Sequence, residues 1–144
     1  MLGIQSKNSD INKWRAFFRD NKYHELCETS VIPCKVVDDC GTKKFLLKLH
    51  DGLETESVIL QIDGFKKRRH TLCLSSQVGC AMGCDFCQTA KMGLLRNLTT
   101  AEIISQWHAA HHALGTTIDN IVFMGMGEPL ENLDAVIPAI EIFA

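Results

Sequence analysis

The chain has 144 residues, of which 46% are hydrophobic and 22% charged, with a formal net charge of -2. That composition suits one folded domain and argues against wholesale disorder, and a near-neutral balance gives no bulk electrostatic case for nucleic acid. No apolar run nears the roughly 18 residues of a membrane helix, the first ten residues lack a basic-then-apolar signal peptide, and seven Cys is an odd count. A reducing, cytoplasmic setting follows, in which clustered Cys serve as metal ligands or redox groups more often than as bridges.

Ile11, Trp14, Phe17 and Phe18 fall at near-helical spacing, which predicts a short helix within residues 8–30. From residue 43 the period shortens. Residues 43–50 and 56–62 are β-rich and flank Asp51-Gly52, so a hairpin is expected. Lys66, Lys67, Arg68 and Arg69 then form a basic linker. It is either a solvated connection or a phosphate contact, with Lys91 and Arg96 extending the same rim. Residues 71–75 read as a strand, followed by a Gly- and Cys-rich loop. Thr99 and Glu102 fit a capping box that opens a helix through Ile103, Ile104, Trp107, Ala110, His111 and Leu114, closed by Gly115. Residues 121–124 are a buried-type strand, Gly125-Met126-Gly127-Glu128-Pro129 is a loop, and a second apolar helix starts near Asn132. Strand, loop, helix, twice over, predicts an α/β fold with parallel strands. Two such units cannot close a barrel, so the chain is expected to be a segment of a longer α/β protein.

The most informative stretch is Cys80-Ala81-Met82-Gly83-Cys84-Asp85-Phe86-Cys87. Three thiols at C-x3-C-x2-C spacing, relaxed by Gly79 and Gly83, can point at one centre. Three thiolates suit an iron–sulfur cluster or zinc, although structural zinc prefers four ligands in two pairs. By contrast, the His residues at 108, 111 and 112 read as ordinary helix side chains. Cys27, Cys34 and Cys40 have no motif spacing. Cys73 by itself reads as a small strand residue, and Glu54 and Glu56 as solvated strand carboxylates.

The C-x3-C-x-aromatic-C pattern resembles the signature of radical S-adenosylmethionine (SAM) enzymes, and the Gly125–Pro129 loop resembles their SAM-contact motif. Together with residues 72–80, Arg96-Asn97-Leu98-Thr99 and residues 123–130, the pattern resembles the RlmN/Cfr family from about Asp39 onward. The resemblance implies a partial radical SAM (βα) barrel of about two βα units, preceded by a short helix and a β-hairpin. The implied division is a helical segment over 1–38, hairpin and basic linker over 39–70, and an incomplete core over 71–144. It implies a methyltransferase acting on C2 of adenine in 23S ribosomal RNA and in transfer RNA. The electron donor would be a flavodoxin or ferredoxin, and the protein a monomer off the membrane. By the same resemblance Cys80, Cys84 and Cys87 hold a [4Fe-4S] cluster whose open iron chelates SAM, and Gly127 and Glu128 contact SAM. Cleavage of SAM yields a 5′-deoxyadenosyl radical, Glu56 accepts a proton, and Cys73 releases the product through a disulfide. Glu54 is the competitor for Glu56. The family's methyl-carrying Cys has no counterpart here, so these 144 residues are expected to bind a cluster yet not to methylate RNA. A radical SAM activating enzyme and a non-catalytic metal-binding module are the alternatives.

Overall fold

The structure, a computed structural model, describes residues 32–64 and 67–144. The helix expected within residues 8–30 lies outside them.

Two stretches of alternating burial set the frame. In β2 (Thr42–Lys48) Phe45 and Leu47 are buried, and in β3 (Glu54–Asp63) Thr55, Ser57 and Ile59 are buried. The strands pair antiparallel across the expected Asp51-Gly52 turn, where Gly52 takes a positive φ of 85°. An unexpected strand, β1 (Lys35–Asp39), pairs with β2 across a second tight turn. There both Cys40 (φ 48°) and Gly41 (φ 89°) are left-handed, as a two-residue hairpin of this twist requires. β1 is exposed along its length.

β4 (Arg68–Cys73) joins β3 antiparallel, and β7 (Asn120–Val122) joins β4 parallel. The sheet order is therefore β1-β2-β3-β4-β7. The fold is mixed α/β: an antiparallel meander passes into one parallel pair. The crossover between β4 and β7 carries a two-stranded ribbon, β5 (Gln77–Gly79) with β6 (Leu94–Asn97), and helix α1 (Thr100–His108), which continues as a π-turn over Ala109–Ala113. Helix α2 (Leu133–Phe143) follows β7 after a short 3₁₀ turn.

Helix α1 starts where Thr99 and Glu102 exchange capping bonds: the Thr99 hydroxyl accepts from the Glu102 N–H and the Glu102 carboxylate from the Thr99 N–H. Its Ile103 and Ile104, with Ala135, Val136, Ala139 and Ile142 of α2, close over Phe45, Leu47, Ile59, Leu72 and Leu74. Both helices thus cover one face of the sheet. Strand alternation leaves Glu56, Val58 and Cys73 on the other.

Candidate functional site

The site grows from the carboxyl end of the parallel pair, where α/β folds keep their ligands. β4 ends at Cys73, and the chain bends through Ser75 and Ser76 into β5. At the bend Gln106 of α1 acts as a substitute strand. Its side-chain amide accepts from the Ser75 N–H at 2.8 Å and donates to the Ser75 carbonyl at 2.9 Å, and also accepts from the Ser57 hydroxyl at 2.7 Å. Gln106 is fully buried, so these bonds satisfy backbone groups that no strand reaches.

β7 ends beside the same bend, and its loop is stitched onto it. The Gly125 N–H donates to the Leu74 carbonyl, the Ser76 and Gln77 N–H groups to the Met126 carbonyl, and the Met126 N–H to the Ser75 hydroxyl. Close approach demands glycine here. A Cβ on Gly125 would lie 2.5 Å from Ser75 Oγ, and one on Gly127 (φ 95°) 2.5 Å from Gln77 Cβ. Asn132, buried at the start of α2, donates to the carbonyls of Ser76 and Leu98. The Gly125–Pro129 loop and the strand feeding the Cys loop are thus one hydrogen-bonded body.

The Cys loop leaves and re-enters through the ribbon β5–β6. The Cys80 N–H donates to the Gly93 carbonyl at 3.1 Å, and a Cβ on Gly79 would stand 1.8 Å from that oxygen. Cys80 is buried at this base, Cys87 is half-buried and Cys84 is exposed. The Cys87 N–H donates to the Cys84 carbonyl. Hydrogen bonding from the Ala90 backbone, then from Thr89, holds the Cys87 thiol below its usual range. The expected convergence of Cys80, Cys84 and Cys87 is not what the structure presents. Among the described residues no three Cys, His, Asp or Glu side chains lie within reach of one metal ion. The physical reason is that only the loop's base is held by a ladder. The donor set itself fits a three-thiolate cluster: three thiols on one loop at C-x3-C-x2-C spacing, one short of the four ligands that structural zinc prefers.

Register places the other two expected residues together. Val58 lies opposite Cys73, so Glu56 is the diagonal neighbour of Cys73 on the face away from the helices. Glu56 pairs with Lys44 at 3.2 Å, and its backbone carbonyl accepts from the Ser75 hydroxyl at 2.6 Å. Glu54 sits one step further along, opposite Lys48, with Cys34 Sγ 3.9 Å from its carboxylate. Burial pushes the Cys73 thiol up. Glu128, at the start of the 3₁₀ turn, receives the Leu130 N–H on one carboxylate oxygen.

The basic run does not stand beside the Cys loop. Lys67 pairs with Asp119 at 2.7 Å and Arg68 with Asp63 at 3.0 Å. With Arg69 they stand at the amino end of β4, a strand length of about 17 Å from the loops at its carboxyl end. Lys66 is outside the described residues. Arg96 is not a free rim cation either. It grips Glu102 through two 2.8 Å bonds and Asp51 at 2.6 Å. Lys91 alone stays exposed beside the Cys loop. The residues that build the site and that local pattern does not reveal are Ser75, Gln77, Gln106 and Asn132. Each acts on a partner at least 20 positions away.

No family model matches the chain. A radical SAM methyltransferase from Sphaerobacter thermophilus superposes with a TM-score of 0.70 at 39% identity, covering 81% of this chain and 34% of that one. With the parallel pair and its two joined loops, this likeness defines a segment of the radical SAM methyltransferase class. Three sequence relatives carry the name dual-specificity RNA methyltransferase RlmN. The one from Alkalilimnicola ehrlichii is 52% identical over 109 residues, 74% of this chain and 29% of the relative. The one from Pelobacter propionicus is 58% identical over 102 residues, 71% of this chain and 28% of the relative. The one from Syntrophobacter fumaroxidans is 46% identical over 143 residues, 96% of this chain and 40% of the relative, and carries the likeness into the first 38 residues. The chain belongs with the RlmN family and spans about three tenths to two fifths of the length of these curated relatives.

Proposed function

We propose that the chain carries the cluster- and SAM-binding part of an RNA methyltransferase that methylates C2 of adenine in 23S ribosomal RNA and in transfer RNA. The observation that carries this reading is the loop of Gly127 and Glu128 bonded directly onto the strand that delivers Cys80. Two loops so joined can hold a metal centre and the small molecule that binds it at a set separation. In this reading β4, α1, β7 and α2 are the first two βα units of a radical SAM barrel spanning residues 71–144. The hairpin unit expected over residues 39–70 takes in β1 as well and so starts at Lys35, with the N-terminal segment before it.

Cys80, Cys84 and Cys87 would hold a [4Fe-4S] cluster, which with S-adenosylmethionine supplies one-electron cleavage to a carbon radical. The chain's own residues bind, orient and move protons. Gly127 lets backbone approach the SAM amino acid moiety. The Glu128 oxygen not engaged by Leu130 is available to an ammonium group. Glu56 accepts a proton from the substrate ring, with Lys44 holding the carboxylate; its register beside Cys73 supports it over Glu54. Cys73 would supply the thiolate that attacks the sulfur of the family's methyl-carrying Cys, the S–S bond forming as the bond from that sulfur to the methylated adenine breaks and the product leaves. A flavodoxin or ferredoxin delivers the electron, in the cytoplasm, to a monomer. Among the described residues no helix is long and apolar enough to cross a membrane.

Anaerobic reconstitution of the 144-residue chain tests the reading. Iron and sulfide near four per chain, with reductant-dependent cleavage of SAM to methionine and 5′-deoxyadenosine that Cys84→Ala abolishes, are the expected results. One zinc and no iron would overturn it in favour of a metal-binding module. On 23S RNA the chain should give no 2-methyladenosine above the Cys84→Ala control.

A further inference from the structure

Gln77 is a polar residue only 2% exposed, and its side chain bonds at one end to the Gly125–Pro129 loop and at the other to the ribbon that closes the Cys loop. Its Oε1 accepts from the Glu128 N–H at 2.9 Å, and its Nε2 donates to Asn97 Oδ1 at 2.8 Å. The amide orientation is forced, because a backbone N–H can only donate and must meet the oxygen. Asn97 in turn donates to the Glu131 carbonyl at 3.3 Å, returning the chain of bonds to the far side of the same loop. Gln77 also heads β5, whose last residue, Gly79, precedes Cys80. Its backbone N–H donates to Met126, and its Cβ is the atom that forbids a side chain at Gly127.

We propose that Gln77 is a positioning residue that couples the Gly127–Glu128 loop to the base of the Cys loop, so that displacement of either loop is felt at the other. The donor end of its amide serves the ribbon β5–β6 that closes the Cys loop, and the acceptor end serves the Glu128 backbone. An amide is the side chain that does both at once. A carboxylate serves the second and opposes the first, because it would face the Asn97 oxygen. Flipping Asn97 would only move the acceptor–acceptor contact onto the Glu131 carbonyl. The significance for cluster and SAM rests on the proposed function; the coupling itself does not.

The test uses the metal-free 144-residue chain and amide hydrogen exchange. Gln77→Glu is expected to raise exchange at the Cys80 amide about tenfold or more while leaving the Glu128 amide as protected as in the parent. Gln77→Ala is expected to raise both. Unchanged protection at Ile103 and Ile104 certifies that the fold is kept. A purely structural role would not produce this split: equal effects of Gln77→Glu on the two amides, or none, would overturn the proposal. Cadmium titration of the thiols supplies the link to function. Gly127→Ala, a change in the other loop, is expected to weaken cadmium binding about tenfold. If cadmium does not bind the parent chain, the cluster reading fails while the exchange result still decides the coupling.

Discussion

Replacing Arg96 by Met removes one partner of a buried ion pair and leaves the other behind. The Glu102 carboxylate is 3% exposed and accepts two 2.8 Å bonds from Arg96 as well as the Thr99 N–H. Stranding such a charge costs about 3–5 kcal/mol; because the Arg96 side chain is 26% exposed and water can enter once it is gone, we take about 3 kcal/mol. Glu102→Gln is milder, at about 1–1.5 kcal/mol, because a neutral amide still caps α1 and can accept one Arg96 bond. The pH dependence is sharper still. Burial pushes the Glu102 carboxyl up, but the Arg96 hydrogen bonds and the Thr99 backbone outweigh it, so its pKa in the folded chain lies below the ordinary value. A depressed carboxylate stabilises above its unfolded pKa, and that stability is lost as pH falls through the folded pKa. With Arg96 gone, only the Thr99 hydrogen bonds and His50, whose Nδ1 lies 3.4 Å from the carboxylate, still oppose burial, so the folded pKa rises and the remaining carboxylate stabilises less at neutral pH than it does in the parent. The gap between parent and Arg96→Met should therefore be widest near neutral pH and shrink as pH falls through roughly 4.5. Urea unfolding followed by far-ultraviolet circular dichroism at several pH values measures it. A gap below about 0.5 kcal/mol at neutral pH, or one that widens on acidification, would refute the reasoning.

Three further outcomes are expected. Gln106→Leu keeps the volume of a buried side chain but strands the Ser75 N–H and carbonyl and the Ser57 hydroxyl, and should cost about 2–4 kcal/mol in the same unfolding assay. Gly79→Ala meets both a left-handed φ of 77° and the Gly93 carbonyl, and should open the base of the Cys loop, read as faster alkylation of Cys80 than in the parent. Cys73, whose thiol burial pushes up, should alkylate more slowly at pH 8 than the exposed Cys34 or Cys40; equal rates would mean that Cys73 is not shielded in the sheet.

Features with a local physical cause were readable from the chain. Asp51-Gly52 between two alternating stretches gives the β2–β3 turn, and Thr99 with Glu102 gives the start of α1, because a tight turn and a helix cap each need particular residues within four positions. β1 was not readable. Its side chains are exposed on both faces, so no alternation marks it, and Cys40 is an unusual residue for a left-handed turn position. The ribbon β5–β6 is too short for any period to register and exists because Gly79 lets the Gly93 carbonyl come close. Arg96 was misread because one of its partners, Asp51, is 45 positions away. The basic run is different: strand direction alone separates it from the site, since Arg68 and Arg69 open β4 and the Cys loop follows its other end. The three Cys, Cys73 and the Gly127–Glu128 pair stood out by spacing and resemblance. The Ser75, Gln77, Gln106 and Asn132 network that joins them depends on tertiary contacts with no local signal.

The Cys loop presents a final, separable expectation. Its base, with Cys80, is set by backbone bonds and by glycines at 79 and 93, whereas Cys84 and Cys87 lie further out, and the three thiols do not meet. Bringing three thiolates to one point restricts the backbone between residues 80 and 87 and sets like charges against one another, both unfavourable without a cation. A metal centre offsets both terms, so binding and loop closure are one event, as in other thiolate sites. Exchange of amides within residues 81–92 should therefore slow about tenfold or more when iron–sulfur cluster or cadmium is bound, corresponding to at least about 1.4 kcal/mol of local stabilisation. The Cys80 amide, already bonded to Gly93, should change far less. Cys84→Ala should abolish the slowing without touching the base. If metal binds and the tip amides exchange as before, the thiols meet it without rearrangement, and the loop as seen would already be the binding conformation.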